Sequence, residues 1–539
     1  MALTDTAGLA STLSAVEAAL WATDMARAMQ LSEEAVGAGA VHPTLLSLTA
    51  IKRMHAGDNE GALPLLLRAR ELAPGHVDLL NALGECLTRL NRAREGVEAF
   101  DAAIAIAPDA RLHFGRALAL EELSELDAAR ADFEKVLALD PAHAEALARL
   151  ALLAMQRGDA KAARDLAARS LAINPRGATA RIANASAALE QKDLAFAEEQ
   201  VVAMMRDPEL GPINRAFGHS LAGDILDAQD KTAEAFNAYT ASKSILRTFY
   251  APVIGTFEGV RTREQRLAGY FRRADASLWR SAKKPQGRTH VFLVGFPRSG
   301  TTLLEQVLAS HPDVAAMAER TCLMDSASEF FNFDTDLDRL ATLSEAELER
   351  WRQAYWTRVA ETEGALSRSV FVDKMPLNAV FQPLIAKLFP DAKILFALRD
   401  PRDAVLSCFR RRFAINAGMY AFTAIDTAAA YYAAVMELMQ VYSEKLALDM
   451  FEARHESLIA DFDGETRRLC DFLGLEYRDE MRAFAGRAQA RNIDTPSSAQ
   501  VARGLSASGV AQWRRYQAQL QPILPVLAPF VARFGYPET

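Results

Sequence analysis

The stretch Gly295-Phe296-Pro297-Arg298-Ser299-Gly300-Thr301-Thr302 holds the residues best suited to chemistry. It lies between an apolar, β-branched run, Val291 to Val294, and a helical spacing of Leu303, Leu304, Val307 and Leu308. A loop so placed turns backbone N–H groups toward whatever lies over the helix N-terminus, where the dipole favours an anion. The Gly295-to-Gly300 spacing matches the first part of the nucleoside-triphosphate loop, yet Thr301 stands where that motif requires lysine. Arg298 supplies the cation instead, a forked and permanently charged donor for phosphate or sulfate oxygens. Two more cations follow predicted strands. Lys374, in Asp373-Lys374-Met375-Pro376, projects at the mouth of a sheet. Arg399, in Leu398-Arg399-Asp400-Pro401-Arg402-Asp403, and Ser407, two turns into the next helix, would face one anion.

The form Pro-Arg-Ser-Gly-Thr-Thr is restrictive, and with it the sequence resembles the sulfotransferases that use 3'-phosphoadenosine-5'-phosphosulfate (PAPS), in particular the tyrosylprotein sulfotransferase-like group. The resemblance implies that Arg298, Ser299, Gly300, Thr301 and Thr302 hold the 5'-phosphosulfate. Glu319, after His311-Pro312-Asp313-Val314, stands where that family carries its catalytic glutamate. A carboxylate there would take the acceptor hydroxyl's proton as oxygen attacks sulfur. Arg320 and Thr321 depart from the residues usual beside it. By the same resemblance, Lys374 and Arg298 steady the reacting sulfate and the departing phosphate, as point cations stabilise phosphoryl transfer. Arg399, Ser407 and Arg411 would hold the 3'-phosphate. His455 replaces a tyrosine; it either contacts the nucleotide or serves structure. The stretch Thr495 to Gly504 looks like the family's nucleotide-closing loop, with Thr495 and Ser497 toward the phosphosulfate and Arg503 toward the 3'-phosphate. No metal is required.

These residues need a parallel sheet to carry them. Candidate strands are Val291 to Gly295, Val370 to Val372, Lys393 to Leu398 and Asp449 to Arg454. They alternate with helices around Glu345 to Gly364, Leu377 to Leu388, Asp426 to Leu446 and Gly464 to Leu473. A ligand belongs beyond the carboxyl ends of such strands. Asp334, Asp336 and Asp338 alternate as calcium loops do, but the central glycine and closing glutamate are missing, so an exposed acidic loop is expected.

Upstream, Pro74, Pro108, Pro141, Pro175 and Pro208 close units of about 34 residues, the tetratricopeptide period. Six or seven units follow, from a degenerate first repeat over Thr12 to Pro43 to a last one over Pro208 to Leu246. Small residues such as Gly84 let paired helices approach, and Phe100, with its counterparts Leu66, Phe133 and Ala167, fills the space between them. The expected architecture is an all-α tetratricopeptide solenoid over 1–246, a basic helical connector over 247–288, and an α/β P-loop-like sulfotransferase domain with a parallel sheet over 289–539. The arginine-rich connector reads as a solvated helix and linker, or as a flank for an acidic substrate.

The chain has 539 residues, half of them hydrophobic, and a net charge of -8, which argues against a general nucleic-acid binder. No apolar run approaches the roughly 20 residues that span a bilayer, so a cytoplasmic location is expected. Cys86, Cys322, Cys408 and Cys470 stand singly and support neither a disulfide framework nor a zinc site. A solenoid groove commonly takes a peptide or protein, here including the acceptor itself, or the array dimerises the enzyme. The function expected is sulfuryl transfer from PAPS to a hydroxyl, foremost a protein or peptide tyrosine. A carbohydrate or lipid hydroxyl, a nucleotide kinase on the same loop and a non-catalytic scaffold stay open.

Overall fold

The computed structural model describes residues 6–254, 259–280, 287–363, 368–490 and 504–538. The chain forms two compact units, Met1–Lys192 and Asp193–Thr539.

The first unit is helical from Thr6–Trp21 to Ala178–Glu190, eleven helices among the described residues. Starts are fixed locally: the carboxylates of Asp58 and Asp159 accept the N–H of Gly61 and Ala162 at 2.8 and 2.9 Å, capping donors that the helix leaves unpaired. The expected packing is present. A Cβ on Gly84 would stand 2.8 Å from the Phe100 ring, and one on Gly115 would stand 2.6 Å from it. Phe100, Leu66, Phe133 and Ala167 are all buried.

The second unit begins with the helix Leu194–Met205 and a hairpin of Pro212–Ala228 and Thr232–Ile254, so the last repeat-like pair belongs to the unit that holds the sheet. The sheet consists of β1 (Thr289–Gly295), β2 (Val314–Met317), β3 (Val370–Lys374), β4 (Lys393–Leu398) and β5 (Asp449–Arg454), all parallel, in the order β2-β3-β1-β4-β5. Side chains alternate across it. Phe292, Val294 and Phe396 enter one core with the helix Ile425–Lys445, while Val291, Leu293 and Leu395 enter a second with the helix Thr301–Ala309. Both faces are thus covered, as an all-parallel sheet requires.

Three expectations need correction. The basic connector is not a solvated linker: its helix Val260–Arg273 buries Leu267 and Phe271, the following turn buries Trp279, and Phe271 meets Tyr442 edge-on at 5.0 Å. Its arginines are surface partners of acids, Arg266 with Asp334 and Arg272 with Glu437. The acidic stretch at Asp334 is not a loop but the helix Asp334–Ala341, whose first turn Asp336 closes on the Phe333 N–H at 3.0 Å. Leu377 to Leu388 is broken into a 3-10 turn, Pro376–Phe381, and a helix, Gln382–Leu388, since Pro383 cannot continue the earlier hydrogen-bond pattern. Among the described residues no helix is long and apolar enough to cross a membrane.

Candidate active site

Each strand delivers chemistry at its carboxyl end. Beyond β1 comes the loop to Gly300, and Lys374 is the last residue of β3. Arg399 follows β4, His455 follows β5, and Glu319 stands two residues past β2. Gly295 is obligatory: opposite Ala397 in the sheet, it would put a Cβ 2.6 Å from the Ala397 carbonyl oxygen. The loop then takes two left-handed residues, Arg298 at φ 70° and Gly300 at φ 94°. Such a conformation is costly for arginine and is characteristic of sites the surrounding structure enforces.

That enforcement is visible. The Arg399 guanidinium donates to the Arg298 carbonyl at 2.9 Å and to the Gly509 carbonyl, tying the loop to the C-terminal stretch. Its Nε is buried without a hydrogen-bond partner among the described residues. Asp400 and Asp403 do not take up this arginine. Asp400 holds Arg402 through both oxygens at 2.9 and 2.7 Å, and Asp403 accepts the Trp513 N–H at 2.7 Å. Arg298 donates through Nε to Ser407 Oγ at 3.0 Å.

Around these contacts lies a cavity of about 270 Å³ lined by Arg298, Gly300, Thr302, Arg399, Ser407, Arg411 and His455, together with Gly504, Ser506, Ser508 and Gln512. Ser299 and Thr301 are buried beside it, outside the lining. With Arg410, four arginines thus line one space. Burial, reinforced by Arg411 and Arg399, pushes the Arg298 pKa down to about 9. An entering anion would reverse that penalty. His455 packs on the loop: a Cβ on Gly300 would meet its Nδ1 at 2.8 Å. Burial, then Arg399 and Arg298, push the histidine down to about 3, so it stays a neutral ring. Thr495, Ser497 and Arg503 lie outside the described residues.

Beside the cavity sits an ionic cluster. The Lys374 ammonium is wholly buried, 2.9 Å from Glu319 Oε1 and 3.2 Å from Glu305 Oε2. Burial alone would lower its pKa; the carboxylates of Glu305 and Glu319 outweigh that and raise it. Glu305 comes from the helix after the loop and is 2% exposed, whereas Glu319 is 39% exposed and reachable by an incoming group. Arg298 senses the Glu319 charge as well, so the cluster and the cavity are electrostatic neighbours.

Sequence reasoning missed Glu305, which has the spacing of an ordinary core-helix residue, and the lining residue Asp227, from the hairpin. The single charged residue of the helix Thr301–Ala309, at its fifth position, was the available signal for the first.

Residues 290–479 match the model of the Sulfotransferase family, and residues 53–121 and 114–178 match two tetratricopeptide-repeat models. An uncharacterized protein of Aquifex aeolicus is 24% identical over 74% of this chain; the match spans 52% of that relative's length. Protein-tyrosine sulfotransferase 1 of Danio rerio is 26% identical over 46% of this chain and 72% of its own. The solved sulfotransferase domain from the Synechococcus olefin synthase is similar at 21% identity over 44% of this chain and 91% of that one, with a TM-score of 0.31. Residues 290–479, with their parallel sheet, therefore form a sulfotransferase-family domain, and the helical pairs over residues 53–178 are tetratricopeptide repeats.

Proposed function

We propose that the chain transfers a sulfuryl group from PAPS to an acceptor hydroxyl, with a protein or peptide tyrosine as the acceptor. The observation that carries the donor is the convergence of Arg298, Arg399, Arg411 and Ser407 on one cavity beside a lysine-carboxylate cluster. When bound, PAPS supplies the sulfuryl group and a phosphate able to leave with the electrons of the broken sulfur–oxygen bond. Arg298 and the loop amides would hold the 5' end, and Arg399, Ser407 and Arg411 the 3'-phosphate.

The chain's own part is proton removal and charge balance. Glu319 Oε1 is engaged by Lys374, which leaves Oε2 to take the acceptor's proton while the acceptor oxygen bonds to sulfur. Lys374, kept charged by Glu305 and Glu319, faces the negative charge that develops on the departing phosphate. A tyrosine acceptor is favoured by the relatives named protein-tyrosine sulfotransferase and by repeats suited to holding a polypeptide.

Calorimetry with adenosine 3',5'-bisphosphate, ADP and ATP on the wild type and on Arg399→Ala tests the donor. Magnesium-independent preference for the bisphosphate, weakened by the substitution, is expected; preference for ATP overturns the reading. For the acceptor, a tyrosine peptide should gain the mass of one sulfuryl group and its phenylalanine analogue none. Transfer to a sugar hydroxyl alone would overturn the tyrosine assignment.

A further inference from the structure

We infer that Lys243, on the second helix of the repeat-like hairpin, is a positioning residue for the 3'-phosphate end of the nucleotide, acting through Arg411. The inference rests on the donor proposed above.

Three consecutive arginines, Arg410, Arg411 and Arg412, end the helix Pro401–Arg410 and begin the chain beyond it. The hairpin sorts them. Arg410 is taken by Asp227 and lies between the rings of Tyr239 and Tyr516, 5.3 and 5.1 Å from their centroids. Arg412 lies over the Phe217 ring at 5.1 Å. Arg411 makes no side-chain hydrogen bond or ion pair among the described residues, and it lines the cavity beside Arg410. Where the Arg411 guanidinium stands in the cavity depends on how the backbone leaves the helix, and Arg411 is the first extended residue there, at φ -80° and ψ 150°.

Lys243 fixes that exit. Its ammonium, on a residue 3% exposed, donates to the Arg411 carbonyl at 2.6 Å. It stands at a helix C-terminus, where carbonyls lack partners and the dipole favours a cation. Burial lowers the Lys243 pKa to about 8, so the charge is held there against its solvation preference. Packing alone would be served by an apolar residue, as it is one and two turns earlier on the same helix, where Tyr239 is buried and Phe236 meets Phe409 at 5.2 Å. A lysine is needed where a carbonyl must be held in one direction.

The test is discrimination between adenosine 3',5'-bisphosphate and AMP, which differ by the 3'-phosphate. Both dissociation constants are measured by calorimetry on the full chain for the wild type, Lys243→Met, Arg411→Ala and the double variant. Lys243→Met should lose about tenfold in the bisphosphate-to-AMP affinity ratio, with AMP binding held within about twofold. The loss should vanish in the Arg411→Ala background. A folded Lys243→Met with an unchanged ratio, or equal weakening of both ligands, overturns the inference. Should that variant not fold, Lys243→Gln, which keeps one neutral donor, is read by the same ratio. A wild type that does not discriminate the two ligands would instead overturn the donor reading.

Discussion

Glu305→Gln isolates the charge that the site keeps hidden. The substitution preserves size and one acceptor oxygen but removes a carboxylate 3.2 Å from the Lys374 ammonium. At an effective dielectric of about 20, that contact is worth about 5 kcal/mol of gross attraction, and the Glu319 contact at 2.9 Å about 6 kcal/mol. Removing one partner of a buried pair usually costs about 3–5 kcal/mol because a bare charge remains. Here Glu319 is still present, so most of the loss appears as a tighter hold on Glu319 rather than as unfolding. Glu319, the proposed proton acceptor, then becomes the only ion-pair partner of the lysine among the described residues. If a quarter to a half of the lost 5 kcal/mol reaches the transition state, transfer slows by about 10- to 100-fold. Near pH 7 Lys374 stays charged, so bisphosphate affinity should change by less than about threefold. With its largest supporting charge gone, Lys374 loses its proton more readily, and the affinity of the variant should fall at a lower pH than that of the wild type. Single-turnover transfer, with calorimetry at about pH 7 and about pH 9, reads both effects. An unchanged rate together with a superposable pH profile would show that Glu305 does not act on Lys374.

Glu319→Gln should slow transfer by about 10²- to 10⁴-fold while leaving bisphosphate affinity intact, as expected of a general base; retained turnover removes it from that role. Gly295→Ala must part β1 from β4 to clear the Ala397 carbonyl, so thermal unfolding should show a loss of about 3 kcal/mol together with weakened bisphosphate binding. Under the sheet, His290 Nε2, the Tyr355 hydroxyl and Asp373 Oδ2 form a buried chain with steps of 3.0 and 2.8 Å. Burial pushes His290 down from 6.5 to about 3, so its contribution to stability is complete above pH 6.5 and is lost as pH falls. Burial pushes Asp373 up from 3.8 to about 7, so its contribution is complete below pH 3.8 and is lost as pH rises. In the overlapping window these slopes, each about 1.4 kcal/mol per pH unit, oppose one another. Relative to wild type, Asp373→Asn should therefore turn acid-labile between those limits, and His290→Phe should gain stability on acidification. Denaturant midpoints across that range decide it; two parallel curves would refute the compensation.

Four of the five strands were legible, and three of them, β1, β3 and β4, are apolar runs closed or followed by a charged or glycine residue. β2 was not: Val314-Ala315-Ala316-Met317 has little strand preference of its own and is extended because β3 offers it an edge. The loop, Lys374 and Arg399 could be read because each follows its strand directly. Glu305 and Lys243 could not, since a helix spacing names the face a residue occupies but not the distant chain that comes to meet it. The connector misled through its arginine count; Leu267 and Phe271 lie one turn apart on its other face, and that stripe, not the charge, determined its place.

The strand order also dictates when the site comes into being. β1 has no neighbour until β3 and β4 are made, and the strand next in sequence, β2, pairs only with β3. The first unit is built from contacts between helices that are consecutive or one apart in sequence, which close quickly and can form as the chain emerges from the ribosome. The loop after β1 waits longer: Arg298 is pinned by Arg399, and Arg399 in turn by Gly509, more than a hundred residues downstream. A growing chain thus carries its tetratricopeptide repeats well before the contacts that fix the loop at Arg298 can form.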